Sequence, residues 1–430
     1  MLEAAATAEL HGETRRLRYF AGGLMAGLIA EQTVLFAVPL IIYQNTKSVT
    51  YSGMAFALEW IPALIAYPFA GLLADLFGGR FLFLNANLAR AVCLFTAMLV
   101  CALAPSFAVI VLMINGMLLS TLMAPIRMAV EKTVPTLASG EKLARTQSLV
   151  QNVELLSMAL GPGLAAGLAQ LLGKLPLLGV AATSFLLAAA AWRVLPASAR
   201  RAVDLGQVRR DLALGWKLLL SNRPVIRLAA LNFLINLAFA VVISANAYLI
   251  TDAFHASDFV FGLMNTGAGA IGLLNLLLIP RLLLTWSIYR VGIIGFLLLC
   301  TGLLSMGLAG NVWFYVPAFL WAMAGAALFN VFNRTQRIKA IDREHLGKVI
   351  GPFYLINSMS LPLGGVVTAS LGHELGIQNI LLCLTFLLAV PGGALLWITI
   401  RHFRERLSTD ALIRSNENTN DLAVVDTSGL

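Results

Sequence analysis

The sequence predicts an all-α polytopic membrane protein of twelve transmembrane helices arranged in two six-helix bundles. Three observations predict it. Twelve long apolar runs divide six and six around one basic stretch. Apolar residues make up 59% of the chain and charged residues only 12%, with a mean hydropathy of +0.84, whereas soluble domains carry about 25% charged residues. Twenty-seven of the 30 lysines and arginines fall on one side of the chain that this threading produces.

The first six runs lie near residues 19–43, 51–73, 82–103, 107–126, 148–172 and 175–195. The second six lie near 228–250, 259–283, 291–308, 312–332, 349–371 and 379–400. Most reach the roughly 20 residues that a helix needs to cross a bilayer core. The first run follows Arg15, Arg16 and Arg18, as in a secretory signal, but it is too long and contains Glu31 and Gln32. It reads as a permanent span. The chain then divides into a six-helix bundle over 1–195, a linker over 196–227, a second bundle over 228–400 and a disordered tail over 401–430. The linker residues 206–221, with Arg209, Arg210, Trp216 and Lys217, predict either a basic amphipathic helix on the inner leaflet or a tether between the halves.

The charge distribution sets the orientation. With a cytoplasmic N-terminus, only Lys47 and Lys174 face outward, and Arg90 lies within a span. This is the positive-inside pattern. It places both termini in the cytoplasm and makes the net charge of +9 a topology signal, so no nucleic-acid partner is expected. The four cysteines fall in spans without pairing or metal spacing, and the five histidines fall in loops or tails. His373-Glu374 begins a zinc-protease pattern, but Ile377 stands where the second histidine belongs. No metal, no cofactor and no catalytic residue is expected.

The halves repeat. A shift of 203 residues brings Glu141 onto Glu344, Leu143 onto Leu346, Glu154 onto Asn357, Ser157 onto Ser360 and Gly161 onto Gly364. Parallel six-span repeats about an axis along the membrane normal are a transporter architecture.

The loop after the second run reads Gly71-Leu72-Leu73-Ala74-Asp75-Leu76-Phe77-Gly78-Gly79-Arg80. Its glycines permit a tight turn, and its arginine suits the lipid surface. Here the chain resembles the major facilitator superfamily, whose signature is Gly-x-Leu-Ala-Asp-x-x-Gly-x-Arg. The resemblance implies that Gly71, Asp75, Gly78, Gly79 and Arg80 form a cytoplasmic gate motif that latches the outward-facing state. The second half carries Pro280 and Arg281 in place of the motif. Gly161, Pro162, Gly163 and Gly167 look like the Gly-Pro motif of the superfamily's antiporters, with Ala165-Ala166 where a glycine pair is usual. Ala159, Gly163 and Gly167 form a small-residue stripe suited to close helix approach.

Finer resemblance lies in Ala37-Val38-Pro39-Leu40, Tyr43-Gln44-Asn45-Thr46, Pro125-Ile126-Arg127-Met128-Ala129, Val134-Pro135 and Leu143-Ala144, with Glu59 and Pro62. These look like the enterobactin-exporter-like branch, which also holds macrolide effluxers and lysophospholipid flippases. That resemblance implies export from a bacterial cytoplasm across the inner membrane, and it supplies the expectation of a siderophore.

Charges within spans cost at least ~2.5–3.5 kcal/mol each on insertion scales, so they call for a function. Glu31, Glu59, Arg90, Arg127 and Glu154 are the candidates for proton coupling; static ion pairs between helices are the alternative. The second half has no acid within a span and offers neutral groups instead. Gln32, Arg90, Asn236, Asn246, Asn265 and Asn357 are the candidate substrate contacts, with Arg90 and Arg127 suited to carboxylates. The expected function is a monomeric, proton-coupled antiporter exporting a small polar, carboxylate-bearing siderophore, with protons and the lipid bilayer as its other partners. Drug or lysophospholipid efflux is the alternative. A membrane-embedded enzyme is disfavoured, because no histidine or clustered acid pair lies at membrane depth.

Overall fold

The computed structural model describes residues 2–138, 141–196, 205–341 and 343–405. Every long element among them is a helix. Six helices precede the linker: α1 (Leu2–Thr46), α2 (Val49–Phe77), α3 (Gly79–Leu103), α4 (Ala108–Leu137), α5 (Glu141–Leu172) and α6 (Pro176–Trp192). After the linker helix α7 (Leu205–Ser221) come α8 (Arg223–Tyr248), α9 (Asp258–Thr285), α10 (Ile288–Gly307), α11 (Val312–Lys339), α12 (Leu346–Leu371) and α13. The last of these begins at Ile377 and runs to Glu405 through a π-helical turn, Leu388–Gly392, that holds Pro391. Eleven helices are long and apolar enough to cross a membrane, and the 17-residue α6 is the shorter twelfth. The all-α fold of two six-helix bundles is therefore the one the sequence predicts.

Helix boundaries follow local chemistry. Gly78 ends α2 with φ +79°, a conformation open to glycine. Asn222 caps α8 by accepting from the Val225 amide, and Asn311 caps α11 by accepting from the Phe314 amide at 3.0 Å. Outward-facing leucines and phenylalanines such as Leu103, Leu171, Leu284 and Phe386 remain exposed on the bundle, as a lipid-facing surface requires.

Arg80 at the start of α3 reaches the Leu195 carbonyl at the end of α6, and Lys174 before α6 meets Asp258 at the start of α9, which marks two opposite ends of the first bundle; the first holds more basic residues. We call the first the basic end, and the second the far end. The linker helix is docked on the second bundle, and Gly215 allows it: a Cβ there would collide with the Lys348 carbonyl of α12. Its Leu219 is fully buried. The segment, expected as either a leaflet-surface helix or a tether between the halves, is a helix packed against α12, because a glycine lets two backbones meet. The tail from residue 406 onward lies outside the described residues.

Candidate transport site

Two seams join the halves, α2 with α12 and α5 with α9. The repeat relates them, since α5 corresponds to α12 and α2 to α9. Both are built on small residues. A Cβ on Gly53 would sit 2.5 Å from the Ala369 amide and 2.6 Å from the Gly365 carbonyl. A Cβ on Gly269 would sit 2.5 Å from the Ala159 amide. Removing side chains lets the helices approach and replaces a missing hydrophobic drive with van der Waals contact.

The seams are tight toward the far end. There Lys174 forms an ion pair with Asp258, and Gln44 donates to the same carboxylate at 3.4 Å. The Tyr43 and Tyr248 rings lie 5.6 Å apart. Toward the basic end the packing is looser at Gly351, Tyr354 and Glu154. Gly351 of α12 has nothing within 4 Å of its Cβ direction, and Tyr354 and Glu154 are exposed. The contacts named here between the halves therefore cluster toward the far end.

Between the seams lies a cavity of about 280 Å³. Its walls come from α1, α2, α4 and α5 of the first half and α8, α9 and α11 of the second. They are mainly apolar, with Phe36, Phe56, Phe261 and Phe319 beside Met113, Met158 and Met323. The polar groups are Gln32, Ser52, Glu59, Ser244, Asn246 and Asn265. Glu59 is the one charged residue among the lining residues.

Behind Glu59 lies a network of charge. Arg90 of α3 is 3% exposed. It donates to Glu31 of α1 at 3.3 Å and to the Leu119 carbonyl of α4 at 3.1 Å, and its guanidinium sits 5.2 Å from the Phe185 ring centre. Its Nε has no partner among the described residues. Glu59 is within electrostatic range of both Glu31 and Arg90. Arg127 is exposed on α4 and interacts at longer range with Arg90 and with Glu154. All five charged candidates therefore belong to one electrostatic network in the first half, although only Arg90 and Glu31 are in contact.

Comparison with known proteins places this architecture. The sequence profile of the Major Facilitator Superfamily matches residues 20–365. The chain belongs to the Major Facilitator Superfamily. It is a membrane transporter of that type. No curated protein matches the sequence significantly. Among solved structures, it resembles the nucleoside transporter NupG, with a TM-score of 0.71 at 12% identity, covering 90% of this chain and 99% of that one. It also resembles a POT family transporter in complex with 5-aminolevulinic acid, with a TM-score of 0.64 at 12% identity over 90% of this chain and 95% of that one. A third likeness is to a bacterial homologue of the human lysosomal transporter Spinster, solved in an inward-facing and unoccupied conformation. There the TM-score is 0.68 at 11% identity, over 92% of this chain and 98% of that one.

Within this superfamily fold, the motif residues take specific places. Gly79 packs on α4, where a Cβ would stand 2.6 Å from the Ala129 carbonyl. Arg80 donates to the Leu195 carbonyl at 2.8 Å. It thus ties α3 to the end of α6, a more specific role than the lipid-surface anchor the sequence suggests. Gly71 and Asp75 lie in helical backbone, and their side-chain surroundings fall outside the described residues. Gly161 makes room for Gln32, since a Cβ would lie 2.5 Å from that side chain's Cβ. Pro162 lines the cavity, and Gly163 faces Thr266 across the seam. Gly167 has nothing within 4 Å. The stripe therefore runs Ala159, Gly163, Ala166 instead, with Ala166 against Gly262, because a seam at 3.6 residues per turn drifts off a strict four-residue spacing.

The expected substrate contacts divide. Gln32, Asn246 and Asn265 line the cavity. Asn246 accepts from the Tyr315 hydroxyl at 2.7 Å, and Asn265 donates to the Phe261 carbonyl at 2.9 Å, which fixes both side chains. Asn357 instead accepts from Asn232 at 2.9 Å and joins α12 to α8. Asn236 does not line the cavity, and Arg90 is turned to Glu31. These three lie away from the cavity lining in this structure, because helix rotation, which spacing alone does not fix, aims them elsewhere. The sequence reading missed the phenylalanines and methionines, since an apolar residue in a lipid span carries no signal of facing a cavity. It also missed Arg337, which lies beyond the apolar run at 312–332. The structure buries it on α11, with its guanidinium 4.2 Å from the Phe353 ring centre.

Proposed function

We propose that the chain is a proton-coupled exporter of a small amphipathic molecule that is neutral or carries positive charge. The observation that carries this is the lining of the central cavity, four phenylalanines and three methionines with one carboxylate and no cation. Aromatic faces and thioethers suit a ring-bearing apolar body. The amides of Gln32, Asn246 and Asn265 suit its hydroxyl or amide groups. A carboxylate-bearing ligand would meet Glu59 without a compensating cation, because Arg90 is held back by Glu31. The siderophore reading survives in a narrower form, as a ring-bearing, amide-rich molecule bound through neutral groups. Drug efflux fits the same lining. Export, and antiport as its mode, rest on the resemblance of the Gly161–Gly167 motif and the first-half loops.

Coupling follows from the layout of charge. When Glu31 binds a proton, Arg90 loses its partner and turns to the next nearest carboxylate in its range, Glu59. That neutralises the one charge facing the cavity and weakens the hold on a cationic or hydrogen-bonding ligand. The halves then exchange the end at which they meet, and deprotonation on the other side resets the pair. The proton partner and the orientation, with both termini in the cytoplasm and the chain as a monomer in a bacterial inner membrane, belong to this proposal.

The test is transport in proteoliposomes with an imposed pH gradient, using a lipophilic cation and a catecholate siderophore as probes. Gradient-driven movement of either is expected. Glu31→Gln, Glu59→Gln and Glu154→Gln are compared singly, and at least one should collapse driven transport while binding persists. If all three pump normally, protons do not travel on these acids. A deletion strain grown without iron separates the substrates: retained siderophore supports the narrower reading, and new drug sensitivity with normal siderophore secretion supports drug efflux.

A further inference from the structure

Two amides of the central cavity are held in opposite hydrogen-bonding roles, and a residue outside the cavity sets one of them. Tyr315 of α11 is fully buried and does not line the cavity. Its ring lies 5.3 Å from that of Phe254, and its hydroxyl donates to the Asn246 Oδ1 at 2.7 Å. That hydroxyl has no other acceptor among the described residues. If Asn246 turned its amide over, the buried O–H would face an NH2 group and be left without an acceptor, which folded proteins seldom tolerate. Asn246 is itself buried yet lines the cavity. Its Nδ2 has no partner among the described residues, and it is not sealed off as the unpartnered Asn275 Nδ2 is. The NH2 group is therefore what α8 turns to the cavity.

Asn265 of α9 has the opposite role. Its Nδ2 donates to the Phe261 carbonyl at 2.9 Å, and a carbonyl can only accept. That leaves the Asn265 Oδ1 to the cavity. We propose that Tyr315 is a positioning residue for substrate specificity. By holding Asn246 as a donor, it makes the cavity select ring-bearing molecules with a hydrogen-bond acceptor toward α8, while Asn265 selects a donor toward α9. A primary amide supplies both groups and an alkyl chain supplies neither. The phenylalanines hold any ring alike, so discrimination among ring-bearing molecules falls to these two fixed amides. The inference rests on the reading of the central cavity as the transport site.

The experiment measures binding to the full-length chain in nanodiscs, corrected for partition into empty nanodiscs, with two matched pairs of probes. The cationic pair is carbamoylmethyl-triphenylphosphonium and ethyl-triphenylphosphonium. The neutral pair is 2-naphthylacetamide and 2-ethylnaphthalene. In each pair the amide should bind about tenfold more tightly than the alkyl member. The readout is that ratio, which does not depend on how much of a variant is folded. Tyr315→Phe should bring it to about one, because Asn246 is then free to turn either way. Asn246→Asp still accepts from Tyr315 but turns a second acceptor to the cavity, so it should favour the alkyl member. Asn265→Leu should weaken the amide member alone. Trp321→Phe, at an exposed position of the same helix, should leave the ratio unchanged. An unchanged ratio in Tyr315→Phe, with both members weakened equally, would reduce Tyr315 to packing and overturn the proposal. Equal binding of the two members by the wild-type chain would also overturn it, while leaving the proposed function standing. Amide preference in the neutral pair with neither cation bound would sustain the proposal and overturn the reading of a positively charged substrate. Binding of no probe would overturn both.

Discussion

Arg90 and Glu31 meet at 3.3 Å, with the arginine almost wholly buried and the glutamate a quarter exposed. The pair joins α3 to α1, and the Leu119 carbonyl adds α4. Breaking a buried pair from one side strands the other charge at a cost of about 3–5 kcal/mol; the partial exposure of Glu31 reduces that here. Glu31→Gln keeps an acceptor and should lower the thermal midpoint less than Glu31→Leu. The double variant Glu31→Leu with Arg90→Leu should recover part of the loss. Strictly additive losses would show that the two side chains do not stabilise one another.

The far-end ion pair of Lys174 with Asp258 should bias the resting conformation. It is partly exposed, at 20% and 28% for the two side chains, so its worth is about 0.2–1 kcal/mol. Lys174→Gln should therefore shift the closed far end by no more than about fivefold. Spin-label distances across that end would measure it, and the exchange Lys174→Asp with Asp258→Lys should restore the original distribution. An unchanged distribution in Lys174→Gln would remove the pair from the gate.

Gly53 should tolerate no side chain. A Cβ there meets backbone of α12 at 2.5 Å and 2.6 Å, and backbone cannot rotate away. Gly53→Leu should abolish transport or sharply reduce it while the protein still inserts. Gly22→Leu, where nothing lies within 4 Å, is the matched control and should stay active. Equal activity in both would mean that the seam opens freely at Gly53.

Asp75→Asn should impair transport without preventing membrane insertion, as the resemblance of Gly71–Arg80 to the superfamily loop implies. Turnover in proteoliposomes is the measurement. Wild-type turnover would reduce the loop to a plain turn.

Orientation can be tested directly. In a cysteine-free background, a cysteine placed at residue 255 should react with an impermeant reagent added from outside the cell, and one at residue 204 should not. The reverse pattern would invert the orientation read from the basic residues.

Helical class and the run of membrane-crossing helices were legible in the sequence because the bilayer imposes them. Each crossing needs a long apolar run with its backbone bonded internally, and such runs appear in composition without any knowledge of neighbours. The Gly78 turn was legible for a similar local reason, since its positive φ belongs to glycine. Polar and charged residues within spans, Glu31, Glu59 and Arg90, also stood out, because lipid makes them costly wherever they point. Tertiary structure decided where they point. Helix rotation turned Asn357 to Asn232 and Arg90 to Glu31, and left Glu59 as the charge at the cavity wall. It also selected Phe36, Phe56, Phe261 and Phe319 from many similar residues to line that wall. In a membrane chain an apolar side chain suits lipid, a helix seam and a cavity equally well, so only the packing of one helix against another separates the three.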